Sequence, residues 1–210
     1  MKKKRDGSRY RKFRFDAGSL ALNYVATVRH RGSTPRDLLF SPEALINWFD
    51  LAGFPVAVLS VSFEDYHEAL LLREAIYKIF RSCIENKPPK QVDVDCINSH
   101  ASHSQSSPRI DISTFAVQWV CTHPVRACLC DIARDAIMIL AGSDRDRLKM
   151  CDNRTCRMLF LDNSPAGRRR WCSMTICGNR DKVRAHRRRK REMEEGMSSR
   201  DTKQLSRSRS

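Results

Sequence analysis

Long apolar runs are absent from this sequence of 210 residues. No stretch approaches the roughly 18 uninterrupted apolar residues that a membrane helix needs. The basic start leads into no apolar signal core. Common enzyme signatures are also missing, because the chain has no phosphate-binding glycine loop, no nucleophile elbow and no His-Glu-x-x-His motif. We therefore expect a soluble, cytoplasmic protein that does not associate with membranes and is not an enzyme.

Acidic residues are scarce relative to basic ones, and the imbalance is uneven along the chain. The net charge is +15, from 39 Lys and Arg against 24 Asp and Glu. Residues 15–144 carry 11 basic and 15 acidic side chains, whereas residues 145–191 carry 16 basic and 4 acidic ones. A local excess of this size favours polyanionic partners, because binding releases their counterions. Residues 145–191 are therefore the predicted nucleic-acid-binding part.

The nine cysteines do not suggest a disulfide framework. An odd number without a secretion signal is typical of a reducing compartment. Two Cys-x4-Cys pairs, Cys151 with Cys156 and Cys172 with Cys177, are separated by fifteen residues. Four thiolates can close a tetrahedral zinc shell that has no open position. We predict Zn²⁺ as a structural cofactor at these four cysteines and assign no catalysis to it; free or redox-active thiols are the alternative.

Helical periodicity dominates the first two thirds of the chain. The pattern predicts helices over residues 42–51, 63–86, 92–101 and 124–141. A two-stranded hairpin is predicted around Ser113-Thr114, whereas residues 19–28 fit either a helix or a strand. The predicted fold class is α+β, with a mainly helical N-terminal domain that contains a small hairpin and a small C-terminal zinc finger that ends in a basic helix.

Composition divides the chain into four predicted segments. Residues 1–14 form a flexible basic arm, and residues 15–142 form the first domain. Residues 145–191 have too few apolar side chains for a core of their own, and domains of this length usually need a metal to fold. Residues 192–210 form a disordered tail.

A helix that begins near Asn179 would place arginines at spacings of three and four, which form one basic stripe. Val183 would pack back on the knuckles, the two metal-binding loops that carry the cysteine pairs. A second basic cluster lies beside Trp171, which is more often a core filler than a base-stacking platform. Asn179 is a candidate for reading adenine, although capping is the more common role. The candidate nucleic-acid-binding residues are Arg168, Arg169, Arg170, Asn179, Arg180, Lys182, Arg184, Arg187, Arg188 and Arg191.

The order of these motifs resembles the CGNR zinc finger. The residues that carry the resemblance are Cys151-x4-Cys156, Leu159-Phe-Leu-Asp162, Arg169-Arg-Trp-Cys-Ser-Met174 and Cys177-Gly-Asn-Arg180. The preceding domain is similar to the ABATE domain, found before this finger in bacterial proteins described as stress-induced transcription regulators. Its supporting residues are Leu20–Val28, Leu38, Ser41-Pro42, Leu45, Trp48 and Leu72–Ile76. Ala26 stands where the family often has asparagine, so no ligand role is carried over to that position.

These features favour a zinc-dependent, DNA-binding transcription regulator that is associated with the nucleoid. The resemblance implies an N-terminal domain that senses an unidentified small molecule or a stress signal. A homodimer is the expected assembly, because two-fold dimers are the commonest oligomers. The alternative function is an RNA- or ribosome-associated module, since a basic finger also suits structured RNA. A small-molecule enzyme in residues 15–142 is the third hypothesis.

Overall fold

The computed structural model describes residues 13–55, 57–103 and 105–189. The chain divides after Cys172 into two compact units. The elements of the first unit, in chain order, are α1 (Leu20–Val25), β1 (Val28–Arg29), β2 (Arg36–Asp37), α2 (Pro42–Ala52), α3 (Phe63–Ile84), α4 (Gln91–Ala101), β3 (Ser107–Ile110), β4 (Val117–Val120), α5 (Pro124–Ala141), a 3-10 helix (Ser143–Arg147), β5 (Leu148–Met150) and β6 (Leu159–Leu161). The strands form three antiparallel pairs, β1–β2, β3–β4 and β5–β6. The predicted α+β fold class is confirmed.

Helix α3 forms the centre of the first unit and packs against α1, α2, α4 and α5. Its hydroxyl cap is Ser62, whose Oγ accepts a hydrogen bond from Asp65 N at 3.0 Å. Apolar residues recur every three or four positions along α3, and these side chains are buried: Ala69, Leu72, Ala75, Ile76, Ile79 and Phe80. The 3.6-residue period therefore predicted both the helix and its buried face.

Residues 20–25 form helix α1 rather than a strand. Ser19 caps its first turn, with Oγ accepting from Leu22 N at 3.2 Å. A carboxylate from α5 also caps it, because Ala21 N donates to Asp135 Oδ2 at 2.7 Å. Free N–H groups at a helix start need such acceptors. The second acceptor lies 114 residues away in sequence, so the local pattern alone left the choice open.

The predicted hairpin is confirmed, but its turn is wider than expected. Strands β3 and β4 pair from Ser107 with Val120 to Ile110 with Val117. Asp111 Oδ1 accepts hydrogen bonds from the backbone N–H groups of Ser113 (3.0 Å) and Thr114 (2.9 Å). An aspartate that binds backbone N–H groups two and three residues ahead starts a turn early. The strand therefore ends at Ile110.

A buried cation joins α3 to strand β2. Arg73 is only 3% exposed, and its guanidinium donates to both carboxylate oxygens of Asp37 at 2.7 Å. Burial disfavours the charged guanidinium, yet the hydrogen bonds to Asp37 raise the pKa of Arg73 above its ordinary value. The charge of Arg73 is thus retained inside the domain by this bidentate pair.

The apolar residues of 148–161 complete the core of the first unit. Strand β6 lies beside the start of the domain, where Leu161 N donates to Ala17 O at 2.8 Å. Both β5 and β6 contact α3, and Leu148, Leu159 and Phe160 are buried. This short hairpin therefore shares the core of the helical domain instead of needing one of its own.

The second unit begins with a π-helical turn, Met174–Gly178. Ser173 caps this turn, since its Oγ accepts from Ile176 N at 3.3 Å. Residues 179–189 continue as helix α6, as predicted for the basic segment. None of the helices in the three described ranges has the length and apolarity that a membrane crossing requires.

We predict that Asp37→Ala lowers the free energy of unfolding by about 2 kcal/mol, because it leaves the buried Arg73 without its bidentate partner. The loss should be smaller than the roughly 3–5 kcal/mol of a fully buried pair, because the Asp37 side chain is 38% exposed. Unfolding in urea, monitored by circular dichroism, measures this loss of free energy. Arg126→Ala, which breaks a more exposed pair with Asp65, should cost less than about 1 kcal/mol. Equal losses in both variants would contradict the assignment.

Candidate metal centre

The first knuckle is the loop of the β5–β6 hairpin. Met150 pairs with Leu159, and the next pair of residues is joined by a hydrogen bond from Cys151 N to Met158 O at 2.8 Å. Asn153 turns the chain inside this loop: its Oδ1 accepts from Thr155 N at 3.2 Å and from Cys156 N at 3.3 Å. The hairpin and the asparagine turn together bring Cys156 back towards Cys151.

The second pair of cysteines begins at the end of the irregular segment 167–172. Asp152 N donates to Arg170 O at 2.9 Å, which holds this segment beside the first knuckle and positions Cys172. Cys177 lies in the capped turn Met174–Gly178, where its N donates to Ser173 O at 2.9 Å. Each cysteine is thus placed by a backbone hydrogen bond in its own neighbourhood.

The sulfur atoms of Cys151, Cys156, Cys172 and Cys177 all lie within 4.8 Å of one another. Cys156 Sγ and Cys172 Sγ are 3.7 Å apart. A tetrahedron of sulfur atoms around zinc, with bonds of about 2.3 Å, has edges of about 3.8 Å. Three of the cysteines are at most 2% exposed, and Cys156 is half-buried. These four predicted ligands therefore form a cluster that can hold a metal ion.

The chemistry of the cluster fits zinc. Four thiolates are a common structural zinc set, and a zinc ion bound in this way has no open position for a substrate. Four thiolates and one Zn²⁺ carry a net charge of −2, which nearby cations can offset. Arg14 provides one, because its Nη1 donates to Cys172 Sγ at 3.5 Å. Arg14 is itself held by Asp16, whose carboxylate accepts at 2.5 and 2.6 Å.

Arg14 belongs to the segment predicted as a flexible arm. Residues 1–12 of that arm lie outside the described residues. Phe13 and Arg14 are half-buried, and Arg14 reaches the metal cluster. This role was missed in the sequence because charge composition alone does not show which of eight basic residues contacts a thiolate.

The loop between β1 and β2 touches the first knuckle so closely that only glycine fits. A Cβ added to Gly32 would lie 1.9 Å from Arg154 O and 2.5 Å from Arg157 Cγ. Contacts of this length are prohibited between nonbonded atoms, so any side chain at position 32 would displace the backbone between Cys151 and Cys156. The helical domain thus supports one half of the metal cluster directly.

The predicted basic cluster beside Trp171 serves two purposes. Arg169 is half-buried: its Nη2 donates to Cys172 O at 2.9 Å, and its guanidinium lies 5.0 Å from the centre of the Phe160 ring. Arg168 and Arg170 are exposed, and Arg170 pairs with Asp152 at 2.7 Å. Trp171 is half-buried. Arg169 therefore helps to position Cys172, whereas Arg168 and Arg170 face solvent.

Asp162 is a buried anchor that sequence reasoning quoted as part of a motif but did not assign a role. Its carboxylate accepts from Lys149 Nζ at 2.8 Å and from Arg169 N at 2.7 Å. Burial opposes its charge, but these bonds and those from Ser164 hold the pKa of Asp162 well below its usual range. Asp162 therefore fixes the loop 163–169 that leads to Cys172.

The remaining predicted contacts lie on or beside α6. Asn179 Nδ2 donates to Thr175 O at 3.1 Å, so its amide fastens the turn that contains Cys177. Val183 is 49% exposed, so the expectation that it packs back on the knuckles is not confirmed. Exposed or half-buried predicted cations on this helix are Arg180, Lys182, Arg184, Arg187 and Arg188. Arg191 lies outside the described residues.

We expect the purified chain to bind one zinc ion and Cys156→Ser to bind less than a tenth as much. Loss of one thiolate opens the shell and removes part of the binding free energy that folds the finger. Atomic emission spectroscopy measures the zinc content. Cys121→Ser is the matched control, because Cys121 is also half-buried but lies outside the cluster, and it should retain the ion. Full zinc content in Cys156→Ser would exclude this site.

A second prediction concerns the glycine contact. Gly32→Ala should lower the free energy of unfolding by about 1–3 kcal/mol, as overpacked positions do, and should weaken zinc binding because the knuckle must shift. Competition with a chromophoric chelator measures the affinity. Ser33→Ala changes an exposed neighbour in the same loop and should leave the affinity unchanged. Unaltered zinc affinity in Gly32→Ala would show that the loop does not support the knuckle.

Comparison with protein families matches two segments of the chain. Residues 18–143 match ABATE, described as "Putative stress-induced transcription regulator", and residues 147–190 match the CGNR zinc finger. No curated protein matches the chain. The first match covers more than half of the sequence, and the second contains all four clustered cysteines. The chain therefore belongs to the ABATE family, and it carries a metal-binding CGNR zinc finger after its ABATE domain.

Proposed function

We propose that this protein is a zinc-dependent, DNA-binding transcription regulator. Helix α6 and the exposed arginines before Cys172 contact the phosphate backbone, and the N-terminal domain responds to a small molecule or a stress signal. The protein acts in the cytoplasm at the nucleoid, by binding and without catalysis. Phosphate contacts supply its affinity, and they carry no sequence information by themselves.

One observation carries the proposal: Cys177 lies in the turn that leads directly into the basic helix. The π-helical turn ends at Gly178, and α6 occupies residues 179–189. A metal bond to Cys177 therefore restrains the first turn of α6. Nucleating a helix is costly because several residues are ordered for few hydrogen bonds. Zinc, which performs no reaction here, would increase nucleic-acid affinity by ordering this helix in advance.

The charges of the finger support a polyanionic partner. On α6, Arg180, Arg184 and Arg187 recur at spacings of four and three, so they lie along one face of the helix. Two of the four acidic residues in 145–191 are occupied within the first unit: Asp152 pairs with Arg170, and Asp162 pairs with Lys149. The basic side chains of this segment outnumber its acidic ones by 16 to 4, and phosphate groups can neutralise the excess.

An open groove in the N-terminal domain is the proposed place for the signal molecule. It has a volume of about 660 Å³ and lies between α2 and the following loop. Its apolar wall includes Phe49 and Phe54, and its polar rim includes Glu43, Asn47 and Asp50. An apolar wall with acidic groups at the rim favours an amphipathic cation.

We predict a steep salt dependence of DNA binding. If six to eight basic side chains touch phosphates, the slope of log K against log salt concentration should be about −5 to −7 on duplex DNA. Replacing Arg180, Arg184 and Arg187 with Gln should make this slope shallower by about 3, because each phosphate contact contributes about 0.9. Fluorescence anisotropy, recorded between about 50 and 300 mM KCl, measures this slope.

The control replaces three exposed cations of the N-terminal domain, Lys90, Arg109 and Arg126, with Gln. It removes the same net charge but should leave the slope unchanged. A slope near zero in the unaltered protein would refute the electrostatic mechanism. Competition between duplex DNA and structured RNA at one salt concentration then decides between the DNA-binding proposal and an RNA-binding role, since both polymers present phosphates but differ in groove shape.

A further inference from the structure

The hairpin β3–β4 presents an apolar face to solvent. Pro108 is paired with Trp119, and Ile110 is paired with Val117. Side chains of paired residues point to the same side of a sheet, and positions two apart share a side. These four side chains therefore lie on one face, while Arg109 and Gln118 lie on the other. Ile112 and Phe115 add two further apolar side chains at the tip. We call these six residues the hairpin face.

The large apolar side chains of the hairpin face are largely exposed to solvent. Ile112 is 90% exposed, Phe115 83%, Ile110 74%, Val117 60% and Trp119 41%. With roughly 150–250 Å² for each of these five side chains, their exposed fractions together correspond to roughly 500–900 Å². Exposed apolar patches larger than a few hundred Å² mark interaction sites on soluble proteins. It contains no charged side chain.

The tip of the hairpin is held in one conformation. Asp111 accepts four hydrogen bonds at Oδ1 from Ser113 and Thr114, and Gln118 Nε2 donates to Oδ2 at 2.5 Å. These bonds, led by the one from the Ser113 hydroxyl, lower the pKa of Asp111 to about 2. Phe115 is further restrained by a left-handed backbone, with φ of 54°. The two tip side chains are therefore displayed by an ordered turn.

The free edge of β3 is a poor place for another strand to add. Asp111 N donates to Ala116 O at 2.9 Å, so the antiparallel alternation of hydrogen-bonded pairs places the nitrogen of Pro108 on the outer edge. Proline has no N–H to offer there, which is one way in which sheet edges are blunted. Association through this hairpin would therefore use its apolar side chains and not the backbone hydrogen-bonding groups of β3.

We propose that two copies of this chain associate face to face through the hairpin face. Within the part of the chain that the structure describes, these side chains remain open to solvent, and a two-stranded hairpin without a packing partner is only marginally stable in water. Stacking of two such sheets at about 10 Å would bury both faces. A two-fold axis makes the contact self-complementary, because each copy contributes the same patch.

The area favours a second copy over a small ligand. One face exposes roughly 500–900 Å² and lies on an open two-stranded sheet. Two faces therefore offer roughly 1,000–1,700 Å² in total, which overlaps the roughly 1,200–2,000 Å² of specific, stable protein interfaces. The uncharged centre and the aromatic Trp119 and Phe115 match the composition of interface cores. This inference concerns assembly and holds whether or not the partner of the finger is DNA.

Sedimentation equilibrium of the full, zinc-loaded chain tests the interface, without nucleic acid. Unaltered protein should be a dimer at about 10 µM, an affinity that interfaces of this size commonly exceed. Val117→Lys places a cation in the centre of the hairpin face and should raise the dimer dissociation constant by about 100-fold or more. Ser107→Lys adds the same charge at an exposed position on the opposite face of the same hairpin and should leave the dimer intact.

Three results would overturn the proposal: a monomeric unaltered protein at about 100 µM, a dimeric Val117→Lys variant, or equal dissociation of both lysine variants. Zinc content and circular dichroism verify that each variant is folded. If Val117→Lys is not folded, Phe115→Ser replaces it, because Phe115 is 83% exposed and its loss should weaken the dimer without disturbing the domain. DNA binding is measured separately, so its failure leaves this result unaffected.

Discussion

The segment that follows strand β6 depends on one constraint, the meeting of four sulfur atoms. Residues 148–161 share the core of the helical domain, whereas residues 163–189 contain few apolar side chains, so hydrophobic burial alone cannot order them. Metal–thiolate bonds are strong enough to replace a core in a segment of this length. The hairpin loop places Cys151 and Cys156, a loop anchored on Asp162 leads to Cys172, and a capped turn places Cys177. Each of these loops and turns is held by only a few hydrogen bonds. Binding one metal ion would fix all of them relative to the four sulfur atoms.

The N-terminal domain also takes part in building this centre. Gly32 fits against the carbonyl of Arg154, Arg14 donates to the sulfur of Cys172, and Ala17 accepts a backbone hydrogen bond from Leu161. Three of the four cysteines consequently lie in the same compact unit as the helical domain. A movement of the backbone near Gly32 would therefore displace the first knuckle.

Electrostatics is the basis of the partner proposed for the finger. The acidic side chains Asp152 and Asp162 are used internally, against Arg170 and Lys149, whereas the cations of α6 remain open to solvent. Arg169 shows that not every arginine of a basic run serves a ligand, because it supports the carbonyl of Cys172. Net charge therefore indicates the class of partner, and the hydrogen bonds indicate which cations are available to it.

The sequence by itself determined the long helices, the hairpin and the four clustered cysteines, because helical period, capping residues and cysteine spacing are local properties. It left α1 undecided, and it could not reveal the contacts of Arg14, Gly32 and Asp162 or the exposure of Val183. Only the tertiary structure decided these, since each depends on residues far away in the chain: Asp135 caps α1, and Arg154 meets Gly32. Local patterns report the periodicity and charge of a segment, whereas its partners are selected by packing, which no single segment contains.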